Sequence, residues 1–261
     1  MSLPANNLST NNLASNNLAG KRAVITGGGS GIGADMALAF AQAGAEVIIT
    51  GRREAALQAV AEQHDGIRTA VVDVTDEAAM VALFEKVGRV DIVIANAGAA
   101  ESAPFAKTSF EQWQRILNVN LSGVFLTLRE GLKQLNDGGR LIAVASTAGL
   151  KGYAYVGAYC AAKHGVVGLV RSLAAETATR DMTVNALCPG FTDTPLLAAS
   201  VENIVTKTGQ SAEQATAHFQ STNPTGRLVT PAEVTATALW LCGPNSSAIN
   251  GQAISISGGE V

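Results

Sequence analysis

Tyr159 and Lys163 stand four residues apart in an alanine-rich stretch, so on a helix their side chains share one face. A phenol beside an ammonium is a proton-transfer pair. Free tyrosine has a pKa of about 10 and holds its proton too firmly to be a good base at neutral pH. A neighbouring positive charge stabilises the phenolate and is expected to lower that value. Such a pair can hand a proton to a carbonyl oxygen that gains charge as electrons arrive. Ser146 closes the apolar run Leu141–Ala145, and its hydroxyl can hydrogen-bond the same oxygen. Tyr153 and Tyr155 lie between, but neither has a lysine four residues on, so both are expected to line a pocket. No metal is expected. His64, His164 and His218 are dispersed, and Cys160, Cys188 and Cys242 show no C-x-x-C spacing.

The electrons need a carrier. Thr26-Gly27-Gly28-Gly29-Ser30-Gly31-Ile32-Gly33 falls between an apolar run and a helical pattern. Glycines let backbone approach an anion closely, and a helix start presents free N–H groups and partial positive charge to a pyrophosphate. At a strand-to-helix junction this pattern reads as a dinucleotide cradle, with Gly27, Gly29, Ser30, Gly31, Ile32 and Gly33 as its members. About 18 residues on, where a free ribose 2′-hydroxyl usually meets a carboxylate, the chain offers Arg52 and Arg53. A guanidinium matches a 2′-phosphate in charge and geometry. NADP(H) is therefore favoured. Glu54 follows at once and keeps NAD(H) open.

These groups must be held by a frame. Seven short apolar runs recur near 23–26, 46–50, 70–73, 92–95, 141–145, 183–187 and 253–256. Near-continuous apolar strands suit a parallel sheet buried on both faces. Helical patterns fall between them, near 32–43, 53–64, 76–87, 109–135, 158–178 and 231–242, with Thr75-Asp76 and Thr230-Pro231 as start signals. The alternation predicts a single doubly wound α/β domain over 18–261 with a seven-stranded parallel sheet. Residues 191–229 break the rhythm, with a short helical piece near 196–206, and are read as a substrate lid. Residues 1–17, with their repeated Asn-Asn-Leu, are read as a disordered tail.

Composition narrows the class. Among 261 residues, 47% are hydrophobic and 15% charged, which excludes a disordered chain. The net charge of −3 carries no basic excess, so no nucleic-acid partner is expected. No apolar run reaches ~18 residues and the N-terminus lacks a secretory pattern, so no membrane partner is expected and the cytoplasm is the expected location.

Thr26-Gly27-x-x-x-Gly31-x-Gly33, Asp73, Asn96-Ala97-Gly98, Asn120, Ser146, Tyr159-x-x-x-Lys163 and Pro189-Gly190 stand in that order. From Leu18 to Val261 the chain resembles the short-chain dehydrogenase/reductase family. The resemblance implies a Rossmann fold, a nicotinamide coenzyme and a homotetramer. It implies that Asp73 and Val74 lie beside the adenine, and that Asn96, Ala97 and Gly98 line the coenzyme. Asn120 would hold a water in the proton path, and Lys163 would bond the nicotinamide ribose. Pro189, Gly190, Thr192 and Thr194 would meet the nicotinamide end. The stretches around Lys163–Gly168 and Leu187–Phe191 resemble 3-oxoacyl-thioester reductases and polyketide ketoreductases. The expected activity is hydride transfer to a ketone, on a 3-oxoacyl thioester or related β-keto compound. A dehydrogenase of free ketones, cyclic alcohols or sugars using NAD(H) is the alternative. A non-catalytic coenzyme-sensing module is a distant one.

Overall fold

The computed structural model describes residues 17–261. The tail expected over 1–17 therefore lies outside the described residues, apart from Asn17. The third leucine of the Asn-Asn-Leu repeat, Leu18, is buried against the core, and its amide donates to the Ala43 carbonyl at 2.8 Å.

Seven parallel strands form one sheet: β1 (Arg22–Thr26), β2 (Glu46–Gly51), β3 (Ile67–Val71), β4 (Val90–Ala95), β5 (Leu135–Val144), β6 (Met182–Pro189) and β7 (Ala253–Ile256). Their spatial order is β3-β2-β1-β4-β5-β6-β7. The chain runs outward from β1 in one direction, then crosses back to β4, so a crevice opens between β1 and β4 at their carboxyl ends. Successive side chains point to opposite faces. Ala23, Ile25, Ile92, Ile94, Ile142 and Val144 face α1 (Gly31–Gln42), α2 (Glu54–Ala61) and α9 (Pro231–Cys242). Val24, Val93, Leu141 and Ala143 face α3 (Glu77–Val87), α5 (Gly123–Gln134) and α6 (Gly157–Glu176). Burial on both faces explains why most strands read as unbroken apolar runs. β3 departs from the expected 70–73. It is an edge strand that pairs with β2 from Ile67↔Val47 onward, and Val72 and Asp73 have already left the sheet.

The helix expected over 109–135 is interrupted. α4 (Phe110–Leu117) passes through a π-helical turn, Asn118–Ser122, into α5. Asn120 sits in that turn and donates from Nδ2 to the Ile116 carbonyl at 2.9 Å. A side chain takes a backbone role there and the helix widens, a feature that marks functional positions. Residues 191–229 hold α7 (Pro195–Thr208) and also α8 (Ala212–Ser221), which was not anticipated. α8 buries only Ala215 and Phe219, so its apolar stripe is faint, but its reciprocal Ser211/Gln214 capping box was a readable start signal. The excursion is closed at its base, where Asp193 N–H donates to Val229 O and Val229 N–H donates to Phe191 O, both at 2.9 Å.

α9 braces α1, the helix behind the glycine cradle. Thr235 Oγ1 donates to Asp35 across the pair. α9 opens with a capping box. Thr230 Oγ1 accepts from Glu233 N–H, and the Glu233 carboxylate accepts from Thr230 N–H at 2.8 Å and from Arg227 at 2.6 Å. The Arg227 guanidinium, then these cap bonds, hold the Glu233 carboxyl down at about 2. A depressed acid adds stability above its unfolded pKa of about 4.3 and loses it as pH falls toward 2. Thr230→Ala should cost about 1 kcal/mol in urea melts at pH 7. Glu233→Gln should destabilise at pH 7, and its deficit against the parent should shrink steadily between pH 4.5 and 2.5.

Candidate active site

The carboxyl ends of β1, β4, β5 and β6 open into a cleft of about 1940 Å³, larger than a drug-sized site and roomy enough for a dinucleotide with a substrate beside it. Every residue expected at the site lines it except Gly33. Gly33 lies under the cradle: a Cβ there would come 2.4 Å from the Gly27 carbonyl oxygen and 2.5 Å from Asn96 Nδ2. Its smallness serves helix-to-loop packing, and it offers the ligand no surface.

The cradle itself is well formed. Gly27 (φ +70) and Gly31 (φ +54) adopt the left-handed conformation. Ser30 caps α1 without a side-chain bond, and no acid stands in the first turn, so the helix N–H groups and their positive end face the cleft. Asn96 lines the cleft and has a structural task besides. Its Nδ2 donates to Thr26 O at 2.9 Å and to Gly27 O at 3.3 Å, while Thr26 Oγ1 accepts from the amides of Asn96 and Ala97 at 3.0 and 3.1 Å. The side chain thus pins the glycine loop to the end of β4. At the far rim Arg52 and Arg53 are exposed, free to meet a phosphate. Asp73 accepts from Thr75 N–H at 2.9 Å and from Thr75 Oγ1 at 2.8 Å, and the Thr75 amide, helped by the Arg52 charge, keeps its carboxyl low. These residues fit a phosphorylated dinucleotide.

At the other end four side chains converge. Lys163 is 3% exposed, and its Nζ donates to the Val144 carbonyl at 2.8 Å and lies 5.5 Å from the centre of the Tyr159 ring. An ammonium has three donors, and Val144 takes one. Ser146, just past β5, accepts from Ala148 N–H at 3.1 Å, and its hydroxyl acts on the Tyr159 phenol to lower its pKa. Asn120 is fully buried. Its Nδ2 also donates to Ala99 O at 2.8 Å, and its Oδ1 accepts from Ala99 N–H at 3.2 Å. A Cβ on Gly98 would sit 2.9 Å from Asn120 Oδ1 and 3.9 Å from Lys163 Nζ, so this glycine keeps open the space between them.

The expected acidification of Tyr159 is not met in this structure. Burial raises its pKa to about 12 against a lowering hydrogen bond from Ser146. Burial likewise lowers Lys163 to about 8. Desolvation is the largest cause of both shifts. Among the described residues no group of three His, Cys, Asp or Glu side chains could hold a metal ion.

Beyond the pair lies a wall that the sequence reading did not assemble. The Tyr153 ring meets Phe191 edge-on at 5.6 Å, and Phe191 meets Phe219 of α8 at 4.7 Å. Tyr155, expected in the pocket, stands at its mouth, 66% exposed and at φ +68. A bulky residue rarely adopts that conformation.

A doubly wound sheet with a glycine cradle at its switch point, and a buried Lys163 beside a half-buried Tyr159 and Ser146, defines an oxidoreductase of the Rossmann class. Residues 27–260 match the family model described as Enoyl-(Acyl carrier protein) reductase. The chain is 38% identical over 254 residues to a D-beta-hydroxybutyrate dehydrogenase of Cupriavidus necator, covering 93% of this chain and 98% of that one. It is 35% identical over 254 residues to a 3-oxoacyl-[acyl-carrier-protein] reductase of Thermotoga maritima, covering 93% and 98%. A crystal structure of an actinorhodin polyketide ketoreductase variant with NADPH superposes with a TM-score of 0.84 at 33% identity, covering 92% of this chain and 97% of that chain. The chain belongs to the short-chain dehydrogenase/reductase family, whose members named above are oxidoreductases.

Asn96→Ala should loosen the cradle from β4 and leave the Thr26 carbonyl without its side-chain donor. A loss of about 1–3 kcal/mol in urea melts is expected.

Proposed function

We propose that the protein is an NADP(H)-dependent ketone reductase acting on a 3-oxoacyl thioester or related β-keto compound, with Tyr159 as the proton donor. One observation carries this reading: a single cleft runs from the free guanidinium groups of Arg52 and Arg53 to the Tyr159–Lys163–Ser146 set. The glycine cradle and α1 would hold the pyrophosphate, Arg52 and Arg53 the 2′-phosphate, and Asp73 and Val74 the adenine. Gly98, Pro189, Gly190, Thr192 and Thr194 would flank the nicotinamide end. When bound, that coenzyme supplies a hydride. This chain supplies the rest. Ser146 orients the substrate oxygen by hydrogen bond, and Tyr159 gives it a proton as its charge grows. Lys163 keeps positive charge beside the phenol and has donors to spare for a ribose hydroxyl. Asn120, in its π turn, holds the wall of the path by which the phenol regains its proton.

The reductase names of the Thermotoga relative and of the NADPH-bound neighbour support the β-keto substrate and NADP(H). The hydroxybutyrate dehydrogenase likeness supports a second reading, oxidation of a free hydroxy acid with NAD(H). The family model's description speaks for a carbon–carbon double bond. A homotetramer in the cytoplasm is the proposed assembly and location. The half-exposed Trp240 on α9 supports the first, and the three free cysteines suit the second.

A panel separates these readings: acetoacetyl-CoA, crotonyl-CoA, 3-hydroxybutyrate, and aryl and cyclic ketones, each with both coenzymes. Acetoacetyl-CoA should oxidise NADPH fastest. The double variant Arg52→Ala/Arg53→Ala should raise KM for NADPH about tenfold or more and leave KM for NADH within about twofold. Equal effects on both coenzymes would reject the 2′-phosphate assignment.

Tyr159→Phe should bind NADPH normally by fluorescence yet lose turnover by about 10²–10⁴-fold. Retained turnover would remove Tyr159 from its role, whereas a coenzyme-sensing module would show no turnover in the parent either. Lys163 has a lowered pKa of about 8, so it is charged below that pH and neutral above it. Reductive kcat/KM should therefore be level near pH 6–7 and decline as pH rises through about 8.

A further inference from the structure

The side-chain carboxylate of Glu260, one residue from the end of the chain, is only 2% exposed and has no place in the proton-transfer set. Gly258 (φ +62) and Gly259 (φ +93) turn the chain after β7 and carry Glu260 beneath the substrate end of the cleft. L side chains rarely take such a conformation, so the double glycine is what permits the delivery. There the Tyr153 hydroxyl donates to Glu260 Oε1 at 2.6 Å, and Lys151 Nζ pairs with the same oxygen at 2.9 Å. A phenol has one proton. With it given to Glu260, the Tyr153 oxygen accepts from Thr147 Oγ1 at 2.7 Å. Lys151 Nζ also lies 5.0 Å over the Tyr153 ring. The Lys151 charge lies over the ring, and the hydroxyl is committed to Glu260 and Thr147.

What the ring touches next gives the arrangement a purpose. Its edge contact with Phe191, and that of Phe191 with Phe219, run straight into α8 of the 191–229 excursion. A buried carboxylate is tolerated only when its charge is compensated, and here Lys151 and Tyr153 both meet Oε1, while Oε2 is buried with no hydrogen-bond partner among the described residues. We propose that Glu260 is a positioning residue: through the Tyr153 hydroxyl it fixes the aromatic wall and the α8 side of the lid, and so sets which substrate bodies the pocket accepts. The wall it fixes is apolar, which selects a substrate with a flat or apolar body beside the reacting carbonyl. The part concerning substrate choice rests on the ketone-reductase reading. The part concerning the lid does not.

The full-length protein and its Glu260→Gln, Glu260→Ala, Tyr153→Phe and Glu260→Ala/Tyr153→Phe variants test this with two readouts. The first is the rate of limited proteolysis within residues 191–229 of the ligand-free enzyme. Glu260→Ala and Tyr153→Phe should each speed it about tenfold, the double variant no further, and Glu260→Gln, which still accepts from Tyr153, by less than about threefold. The second is steady-state kinetics with ketones of increasing apolar bulk. Glu260→Ala and Tyr153→Phe should each raise ketone KM several-fold, most for the bulkiest ketone, with kcat and the NADPH dissociation constant within about twofold. Multiplying effects in the double variant, or unchanged lid cleavage in Tyr153→Phe, would overturn the proposal. If the parent enzyme reduces no ketone, the functional reading fails while the proteolysis still decides whether Glu260 holds the lid. If Glu260→Ala does not fold, Tyr153→Phe and Glu260→Gln make the same comparison.

Discussion

The buried ammonium of Lys163 is the constraint around which the catalytic end is arranged. A lysine 3% exposed is costly unless its donors are met. The first is met by the carbonyl of Val144, the last residue of β5. That single bond ties α6, which carries Tyr159, to the end of the sheet two residues before Ser146. The neighbouring elements make room for it. Gly149 packs its backbone against the Lys163 carbonyl, where a Cβ would come within 2.6 Å, and Gly98 leaves the space above the ammonium clear. Burial lowers the lysine's affinity for its proton and raises the tyrosine's, so the site keeps both protons at neutral pH and starts as an acid.

The coenzyme end obeys a different rule. Its determinants are mostly backbone: glycine amides, a helix start and strand ends. Side chains there hold the backbone in place. Asn96 shows this most clearly, since its amide is spent on the carbonyls of Thr26 and Gly27. An apparently ligand-facing asparagine is therefore a strut, and it acts on an anion through the loop it steadies. Arg52 and Arg53 are the exception in the proposed reading, because a guanidinium matches a 2′-phosphate in charge and geometry.

Much of this was legible in the sequence because it is local. The Tyr159–Lys163 interval, the cradle at a strand-to-helix junction and the seven apolar runs each depend on neighbours a few residues apart. The failures share the opposite property. The π turn at Asn120 cannot be read from a pattern that stays helical on both sides of it. The edge position of β3 depends on which strands pair, and α8 carries too few apolar residues to declare itself beyond its capping box. Leu18 looked like one of three stray leucines, yet the carbonyl of Ala43 holds its amide and the core takes its side chain. Glu260 is the extreme case, for its partners Tyr153 and Lys151 lie 107 and 109 residues away along the chain.

The two pKa directions bear on which way the reaction runs. In the proposed reading the phenol must hold a proton for reduction, and with its pKa raised by burial it does so at neutral pH. For alcohol oxidation the phenol must first lose that proton, which burial opposes, and the charge of Lys163 does not offset it in this structure. A second positive charge at the oxidised nicotinamide would push toward phenolate, so the oxidative direction depends on bound coenzyme for its base while the reductive direction has its acid ready beforehand. In that reading the asymmetry comes mainly from burial of the phenol. Tyr153, Phe191 and Phe219 line the same cleft and add no charge to the Tyr159–Lys163 pair, so it would persist whichever ketone that wall admits.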